Sequence, residues 1–597
     1  MWLTFLLISV ACPFLALVFA LSVRGTEVAK KFKITLFRTL LVGVFSASFF
    51  MLMPTHLATA EMSFIGVIRA FFLSVMNSVQ ALAFGCEFAN VAECMTTCPG
   101  SLNVIYQTWI SFIFVVAPIF TAGFILSMFK NISSYLRYLG SYFKDAYVFS
   151  ELNEKSIELA SDIKSKHKNA SIVFLGILDD EKETNDELNE RAKAIDAICF
   201  TKNILNVDFE KHSKNKTVSF FTIAGNESKN LDNALKLIEK YKNRENTNLY
   251  VFSIKIESEL LLTEVDKGKI KVRRINDVKL CVYNILYDDG HALFENAREV
   301  IGGKKKISAV VVGLGNHGTE MVKALSWYCQ MDGYELEINA FDKDDLAEER
   351  FCARAPELMS EKYNGVYVDG EAQYKINIHS NADVQTKAFA DAIKNISDAT
   401  YVFVALGTDD ANINAAVDLR MYFERLHIHP IIQTVVYNVQ QKKALEGIKN
   451  FKGQAYDIDF VGDVVSSYSE DVILVTELED AALNQHKKDC PEKDFWNFEY
   501  NYRSSIASAL HEKARIDCRI PGAEKDPADR NDEENRINAI IEHCRWNAYM
   551  RAEGYVFSGS KEKQSRNDLG KMHHNLVEFS ALSDEDKRKD LRPFTKK

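Results

Sequence analysis

Glycine and proline are scarce, 27 and 10 among 597 residues. That excludes collagen-like segments and long Pro/Gly-rich disorder. Eleven cysteines do not make a disulfide scaffold in a chain of this length. Positive charge is not in excess: 72 Lys and Arg stand against 82 Asp and Glu, a formal net charge of −10. Proteins that track the phosphates of a nucleic-acid duplex run basic, so a duplex is not an expected partner. No TVGYG-type potassium filter is present, and no His, Cys and carboxylate set has metal-ligand spacing. Charged side chains are sparse before residue 129 and dense after it, which excludes a fully soluble protein. At roughly 150 residues per unit, the length corresponds to about four domains.

Residues 1–23 are apolar over the length needed to span a bilayer. No charge precedes Arg24, unlike the basic start of a signal peptide, so a retained helix is expected. Further spans are expected near 34–53 and 105–129. Arg24, Lys30, Lys31 and Lys33 follow the first, and Lys130, Arg137 and Lys144 follow the last. By the positive-inside rule both basic flanks are cytoplasmic. The N-terminus is then outside an inner (plasma) membrane and everything after 130 is in the cytosol. Segment 61–85 must fit this topology. Arg69, Asn77 and Gln80 interrupt its apolar run, and it reads as a re-entrant helix, the span–half-helix–span plan of a cation pore. A helix lying flat on the outer surface is the alternative. Cys86, Cys94 and Cys98 in the outer loop allow one disulfide with one thiol over, and Glu87 and Glu93 would place acid at the mouth of an oligomer.

From residue 146, short β-branched runs alternate with amphipathic helices, the pattern of parallel βα units. The clearest turn is ISAVVVGLGNHG (307–318), a buried strand running into Gly313, Gly315 and Gly318. In a GxGxxG turn the first glycine allows the bend, the second lets backbone approach a pyrophosphate, and the third lets helix and strand pack. The next strand ends at Asp342, positioned for a ribose hydroxyl. Gly313, Gly315, Asn316, His317, Gly318, Asp342 and Asp409 are the candidate nucleotide contacts, for NAD(H) or another nucleotide. His317 sits inside the turn and is given no catalytic role. TVSFFTIAGNESKNLDNALKL (217–237) and TYVFVALGTDDANINAAVDLR (400–420) share Gly225/Gly407, Glu227/Asp409, Asn230/Asn412, Leu231/Ile413 and Ala234/Ala416 at an offset of 182, an internal duplication of a lobe. The first copy has Ser150, Leu152 and Lys155 where the second has glycines, so it is degenerate: structural, or binding something else through Ser150, Glu151 and Asn153. Strands are also expected at 170–177, 198–202, 248–254 and 278–286, and near 430–437 and 456–462.

VVVGLGNHGTEMVKAL and VALGTDDANINAA resemble the first βα turn and fourth strand of the cytoplasmic gating lobes of Trk/RCK-type cation channels and transporters, over roughly residues 146–470. This resemblance implies ligand-controlled pore opening and a homo-oligomer, with a tetramer as the analogy. Residues 535–590 are similar to the bacterial ryanodine-receptor repeat (RyR) domain. Glu542, His543, Arg545, Trp546, Gly554, Tyr555, Arg566, Lys571, His573, Leu576–Phe579 and Leu582 carry the match. Such repeats occur on nucleotide-centred signalling and phage-defence proteins. Here the arginines could pair with phosphate and the aromatics stack on a base. Arg545, Trp546, Tyr555, Arg566 and His573 are the candidate ligand contacts, with a packed core as the competing role.

The expected fold is an α-helical membrane domain (1–129), a linker helix (130–145), a degenerate Rossmann-like lobe (146–300), a second Rossmann-like lobe (301–484), a connector (485–534) and a small α-helical RyR-like domain (535–597). The expected function is a ligand-gated channel or pore-forming effector controlled by a cytosolic nucleotide-type ligand, with lipids and further copies of the chain as partners. The alternatives are a membrane-anchored nucleotide sensor without a pore and, less favoured, an NAD(P)-dependent oxidoreductase. No substrate domain or general acid–base pair accompanies the glycine turn, so no enzyme activity is expected.

Overall fold

The computed structural model describes residues 1–22, 36–61, 63–83, 85, 98–128, 132–176, 182–300, 302–368, 370–447, 450–474, 477–487 and 490–591. The chain forms two compact units, Met1–Arg137 and Tyr138–Lys597. The basic residues Arg24, Lys30, Lys31, Lys33 and Lys130, and the outer-loop residues Cys86, Glu87, Glu93 and Cys94, lie outside the described residues.

The first unit contains α1 (Trp2–Ser22), α2 (Leu36–Thr59), α3 (Phe64–Leu82) and α4 (Gly100–Met128), each with a stretch long and apolar enough to cross a bilayer. Segment 61–85 therefore holds one continuous 19-residue helix. Four helices among the described residues have the length for a span, where the sequence led us to expect three and a half-inserted segment. The faces of α3 are sorted by size. Gly66, Ala70, Ser74, Ser78 and Ala81 are buried, and α3 packs on α2 and α4, as small residues do when helices approach without a hydrophobic drive. Phe64, Ile65, Phe71, Phe72, Met76 and Val79 face outward. Asn77 finds His56 at 3.0 Å. Ser9 donates to the Ala47 carbonyl at 2.7 Å and accepts from Trp109 Nε1 at 2.9 Å, and Tyr106 donates to Met51 O at 3.1 Å. Helix α5 (Ile132–Leu139) follows.

Two parallel sheets dominate the second unit. Sheet one contains β1 (Ala146–Phe149), β2 (Ser171–Phe174), β3 (Ile198–Cys199), β4 (Val218–Thr222), β5 (Thr247–Phe252) and β6 (Lys271–Ile275), in the order β3-β2-β1-β4-β5-β6. Sheet two contains β7 (Lys305–Val312), β8 (Tyr334–Phe341), β9 (Tyr374–His379), β10 (Tyr401–Val404), β11 (Ile431–Val435) and β12 (Ile458–Val461), in the order β9-β8-β7-β10-β11-β12. Both orders are the doubly wound 3-2-1-4-5-6, whose switch point lies between the first and fourth strands. The helices that follow the first, second, fourth, fifth and sixth strands of lobe one are α6 (Glu154–Lys166), α7 (Lys182–Ala194), α8 (Glu227–Tyr241), α9 (Ile256–Glu264) and α10 (Asp277–Asp289). In lobe two, α11 (Asn316–Tyr328) follows β7 and α12 (Asp409–Arg425) follows β10.

The expected strand at 278–286 is a correction. KLCVYNIL lies inside α10, which Asn276 caps by accepting the Lys279 N–H, and the sixth strand comes just before it. A run this rich in apolar residues fits a buried helix as well as a buried strand, and the cap decides.

Lobe one fills its sheet with a file of rings: Phe149 stacks on Phe174 at 5.2 Å and Phe221 at 4.6 Å, and Phe221 stacks on Tyr250 at 4.9 Å. At the matching register lobe two has Val312 between Val404 and Phe341, a mixed aliphatic and aromatic packing. The C-terminal part does not stand apart. Helix α13 (Glu499–Asp517), within the expected connector, and helix α14 (Asp532–Ala552) pack on α11, and Ala507, Leu510, Ala548 and Tyr549 share one core with Leu325 and Trp327. Gly554, φ +87°, follows the Glu553 C-cap and ends α14 as its C′ glycine.

These parts meet at a buried charge cluster. Lys279 of α10 pairs with Glu553 (2.5 Å) and Glu320 of α11 (3.6 Å). Arg503 of α13 pairs with Glu553 (2.9 Å), Glu259 (2.5 Å) and Glu499 (3.4 Å). Arg274 of β6 holds Glu499 through Nε at 2.7 and 2.8 Å. The two cations hold the Glu553 carboxyl far below the usual carboxylate range. Removing one partner of a buried pair costs about 3–5 kcal/mol, so Glu553→Gln is expected to lower the unfolding temperature of the detergent-solubilised protein. Lys394→Gln, which breaks an exposed i,i+3 pair with Asp391, is expected to leave it unchanged. Thermal unfolding followed by circular dichroism checks both.

Candidate functional site

A cleft of about 930 Å³ opens between the lobes, lined from both sides by residues at the carboxyl ends of the two sheets. Lobe one contributes Asn153, Lys155, Gly225 and Glu227, and lobe two contributes Gly313, Gly315, Asn316, His317, Asp342 and Gly407. This is where doubly wound sheets bind ligands.

The three glycines of lobe two differ in what holds them. Gly313 has φ +92°, and a Cβ there would lie 2.4 Å from Ala405 O. At Gly318 a Cβ would lie 1.7 Å from Gly313 O. Both serve the bend and the helix–strand contact. A Cβ on Gly315 would meet no atom within 4 Å, so the bare backbone there faces open space. Gly315 is also the N-cap of α11, with no side chain to cap it. The first amides of a helix lack intrahelical acceptors, and uncapped they are a ready seat for an anion. A pyrophosphate fits this turn.

Asp342 reaches the turn differently. Its Oδ2 accepts the Leu314 N–H at 2.5 Å and its Oδ1 accepts the Asp344 N–H at 2.8 Å. The carboxylate thus fixes the glycine turn from below while still lining the cleft, and each oxygen keeps a second lone pair for a ligand hydroxyl. His317, half-buried, stands 3.3 Å from the Tyr437 hydroxyl, and burial lowers its pKa below the ordinary imidazole value against the opposing pull of Asp277.

Asp409 has another task. Its two oxygens accept the N–H groups of Tyr437 and Asn438 at 3.0 and 2.9 Å, binding α12 to the exit of β11. Its counterpart Glu227 accepts Ile254 N–H at 3.0 Å. Asn412 accepts Leu406 N–H and donates to Val435 O at 2.7 Å, and Asn230 accepts Ala224 N–H and donates to Phe252 O at 3.0 Å. The residues common to the two copies are therefore latches between the fourth and fifth strands. They repeat because the fold repeats, and Asp409 is positioned by the fold rather than aimed at the cleft.

In lobe one the equivalent turn is closed by its own side chains. Ser150 Oγ accepts Ile223 N–H at 3.0 Å, and Asn153 caps α6 through a reciprocal capping box with Ser156 while donating to Ile223 O at 2.8 Å. Glu151 pairs with Lys229 at 3.1 Å. Of the three polar residues expected to bind a ligand there, two serve the backbone and one an ion pair.

The C-terminal candidates divide. Arg545 is buried at 1% exposure, and Glu542 accepts its Nη2 at 2.7 Å and its Nε at 3.1 Å. It sits among core residues of α14, away from any ligand's reach, a correction to its expected phosphate contact: a helix periodicity cannot show which arginine points inward. The other four gather. Trp546 meets His573 edge-on at 4.9 Å. Arg566 pairs with Asp568 at 2.8 Å and lies 5.4 Å from the Tyr500 ring, and Tyr500 lies 6.0 Å from Tyr555. Burial, with Arg566 and His574 nearby, pushes the His573 pKa down to about 3, so this ring is neutral and packs on Trp546. Tyr500 belongs to a segment that carried no ligand-binding signal in sequence.

The glycine geometry separates packing from recognition. Gly318→Ala is expected to destabilise the protein and Gly315→Ala to leave its unfolding temperature within about 1–2 °C of wild type, since ordinary surface substitutions fall within about 0.5 kcal/mol. Thermal unfolding of the two variants side by side checks this.

Comparison with protein-family models and with curated proteins finds no match for this chain.

Proposed function

We propose that the chain is the subunit of a ligand-gated membrane channel or pore-forming effector whose cytosolic lobes bind a nucleotide-type ligand, NAD(H) or a relative. The observation that carries this reading is the inter-lobe cleft: two doubly wound sheets present their carboxyl ends to one cavity, and the Gly313–Gly318 turn leaves bare backbone and uncapped amides on it. The four apolar helices supply the membrane anchor. The resemblance of the lobes to Trk/RCK gating domains supports a homo-oligomeric ring, taken as four-fold, and the resemblance of 535–590 to an RyR repeat supports a nucleotide-signalling or phage-defence setting. Trp546, Tyr555, Arg566 and His573 then form a second, subsidiary ligand surface.

Transmission runs through the covalent link. Tyr138, at the end of α5, is buried in lobe one against Phe209 and Tyr142, each at 5.1 Å, and its hydroxyl donates to Asp208 O at 3.3 Å. A ligand that favours one arrangement of the lobes pulls on this anchor, and its differential affinity for the two states sets how far the gate moves. The basic flanks support a re-entrant or outer-surface α3, because a full crossing would put residues 23–35 and 130–144 on opposite sides.

Planar-bilayer recording from purified protein tests the reading. Adding NADH, ADP or a cyclic dinucleotide on the cytosolic side is expected to change the current. Gly315→Asp is expected to abolish the change and Arg566→Ala to reduce it. Silence with ligand binding intact would make the chain a pore-less membrane sensor. Thiol labelling of Glu61→Cys and Gly85→Cys, each introduced into a chain whose native cysteines are replaced by serine, checks the topology in intact cells: both are expected to label from outside, and labelling from opposite faces would make α3 a fourth crossing.

A further inference from the structure

The two helices that flank the cleft begin in register. Asn153 caps α6 and Gly315 caps α11, so Lys155 and His317 each occupy the second helical position of their lobe. Both line the cleft, with Asp277, Tyr437 and Tyr468. The Lys155 ammonium lies 2.8 Å from Asp277 Oδ2, and the Tyr468 hydroxyl donates to the same oxygen at 2.5 Å. Lys155 and Asp277 both act electrostatically on His317, so these charges stand close to the start of α11. The lysine side chain is half exposed and its carboxylate partner a quarter exposed, so the pair is open to an incoming anion.

An exposed Lys–Asp contact contributes little to stability, and the ammonium also lies 5.3 Å from the Tyr468 ring; the helix caps set Lys155 where α11 carries His317, a correction by one position to the Gly318 that the sequence spacing gave it. What it does provide is a cation on the lobe whose own turn is sealed, facing the turn of the other lobe that is open. Phosphate on bare amides at Gly315 receives neutral donors and the partial charge of a helix end. A second phosphate needs a counter-charge, and a lysine serves as a mobile point charge for it.

The geometry points to Lys155 as the part of the ligand site contributed by the degenerate lobe: it leaves Asp277 for the phosphates of a ligand seated at the Gly313–Gly318 turn, so that the ligand bridges the lobes. The ligand class is a nucleotide with at least two phosphates. This rests on the reading of the cleft as a nucleotide site. Recognition and coupling then share one side chain, because the ion pair broken on binding is the one that tied α6 of lobe one to α10.

The experiment uses the full chain in detergent and calorimetric titration with inorganic pyrophosphate, ADP and adenosine. Wild type is expected to bind pyrophosphate and ADP, and Gly315→Asp to bind neither. Lys155→Gln is expected to weaken ADP about tenfold or more, the range of a charge-assisted hydrogen bond, and to leave any adenosine binding unchanged, with Lys155→Arg restoring most of the loss. Asp277→Asn frees the lysine and is expected to tighten ADP in the Lys155 background but far less in Lys155→Gln, a coupling that a purely structural ion pair would not give. If Gly315→Asp abolishes ADP binding while Lys155→Gln binds it as wild type does, Lys155 is overturned and the cleft reading stands. If wild type binds neither pyrophosphate nor ADP, or Gly315→Asp binds them unchanged, the cleft reading falls and this assignment with it. Should Lys155→Gln not fold, the Asp277→Asn titration decides: no gain in ADP affinity overturns the proposal.

Discussion

The second unit depends on the buried charges around Glu553. Lys279 comes from the helix between the lobes, Arg274 from the last strand of lobe one, Glu320 from the helix that follows the glycine turn, and Arg503 and Glu499 from α13. These ions join segments that already share one apolar core, Val282 of α10, Leu325 of α11, Leu510 of α13 and Ala548 of α14 among them. Buried ions are costly unless every partner is in place, which makes this contact orientation-dependent in a way that apolar packing is not. Moving α11 disturbs Glu320, and Glu320 faces the lysine that also holds Glu553, one residue before the glycine that ends α14.

That arrangement explains why the C-terminal part has no core of its own. Trp327 on α11 packs edge-to-face on Tyr549 of α14 at 5.9 Å, and Arg551 is enclosed, held by Glu371 at 3.0 Å and lying 3.5 Å from the Tyr363 ring. The helix resembling an RyR repeat is thus bonded into lobe two from both its apolar and its charged sides. Trp546 is carried on the helix that packs against α11, the helix that follows the glycine turn of the cleft.

Much of the fold was legible in the sequence because its signals are local. Apolar length marked the membrane helices, glycine spacing marked β7 and α11, and the 182-residue offset marked the duplicated lobes. What failed depended on contacts between distant segments. The run 278–286 is mostly apolar, without a strand's or a helix's period, and was settled by a cap at Asn276. The inward turn of Arg545 follows from Glu542 one turn earlier and the packing of α13, neither of which periodicity reveals. Asp409 repeats in both copies, and repetition marks what a fold needs as readily as what a ligand needs. Lys155 gave no motif at all, because its place is set by the facing of two lobes.

Asn153 supplies lobe one's helix with its own cap, while Gly315 leaves lobe two's helix without one. The two copies therefore differ at their first helical amides: in α6 the Ser156 amide is held by the Asn153 side chain, and in α11 no side chain holds its counterpart. A single exchange, Gly315→Asn, would offer lobe two the cap that lobe one already has and turn the open copy into a second sealed one.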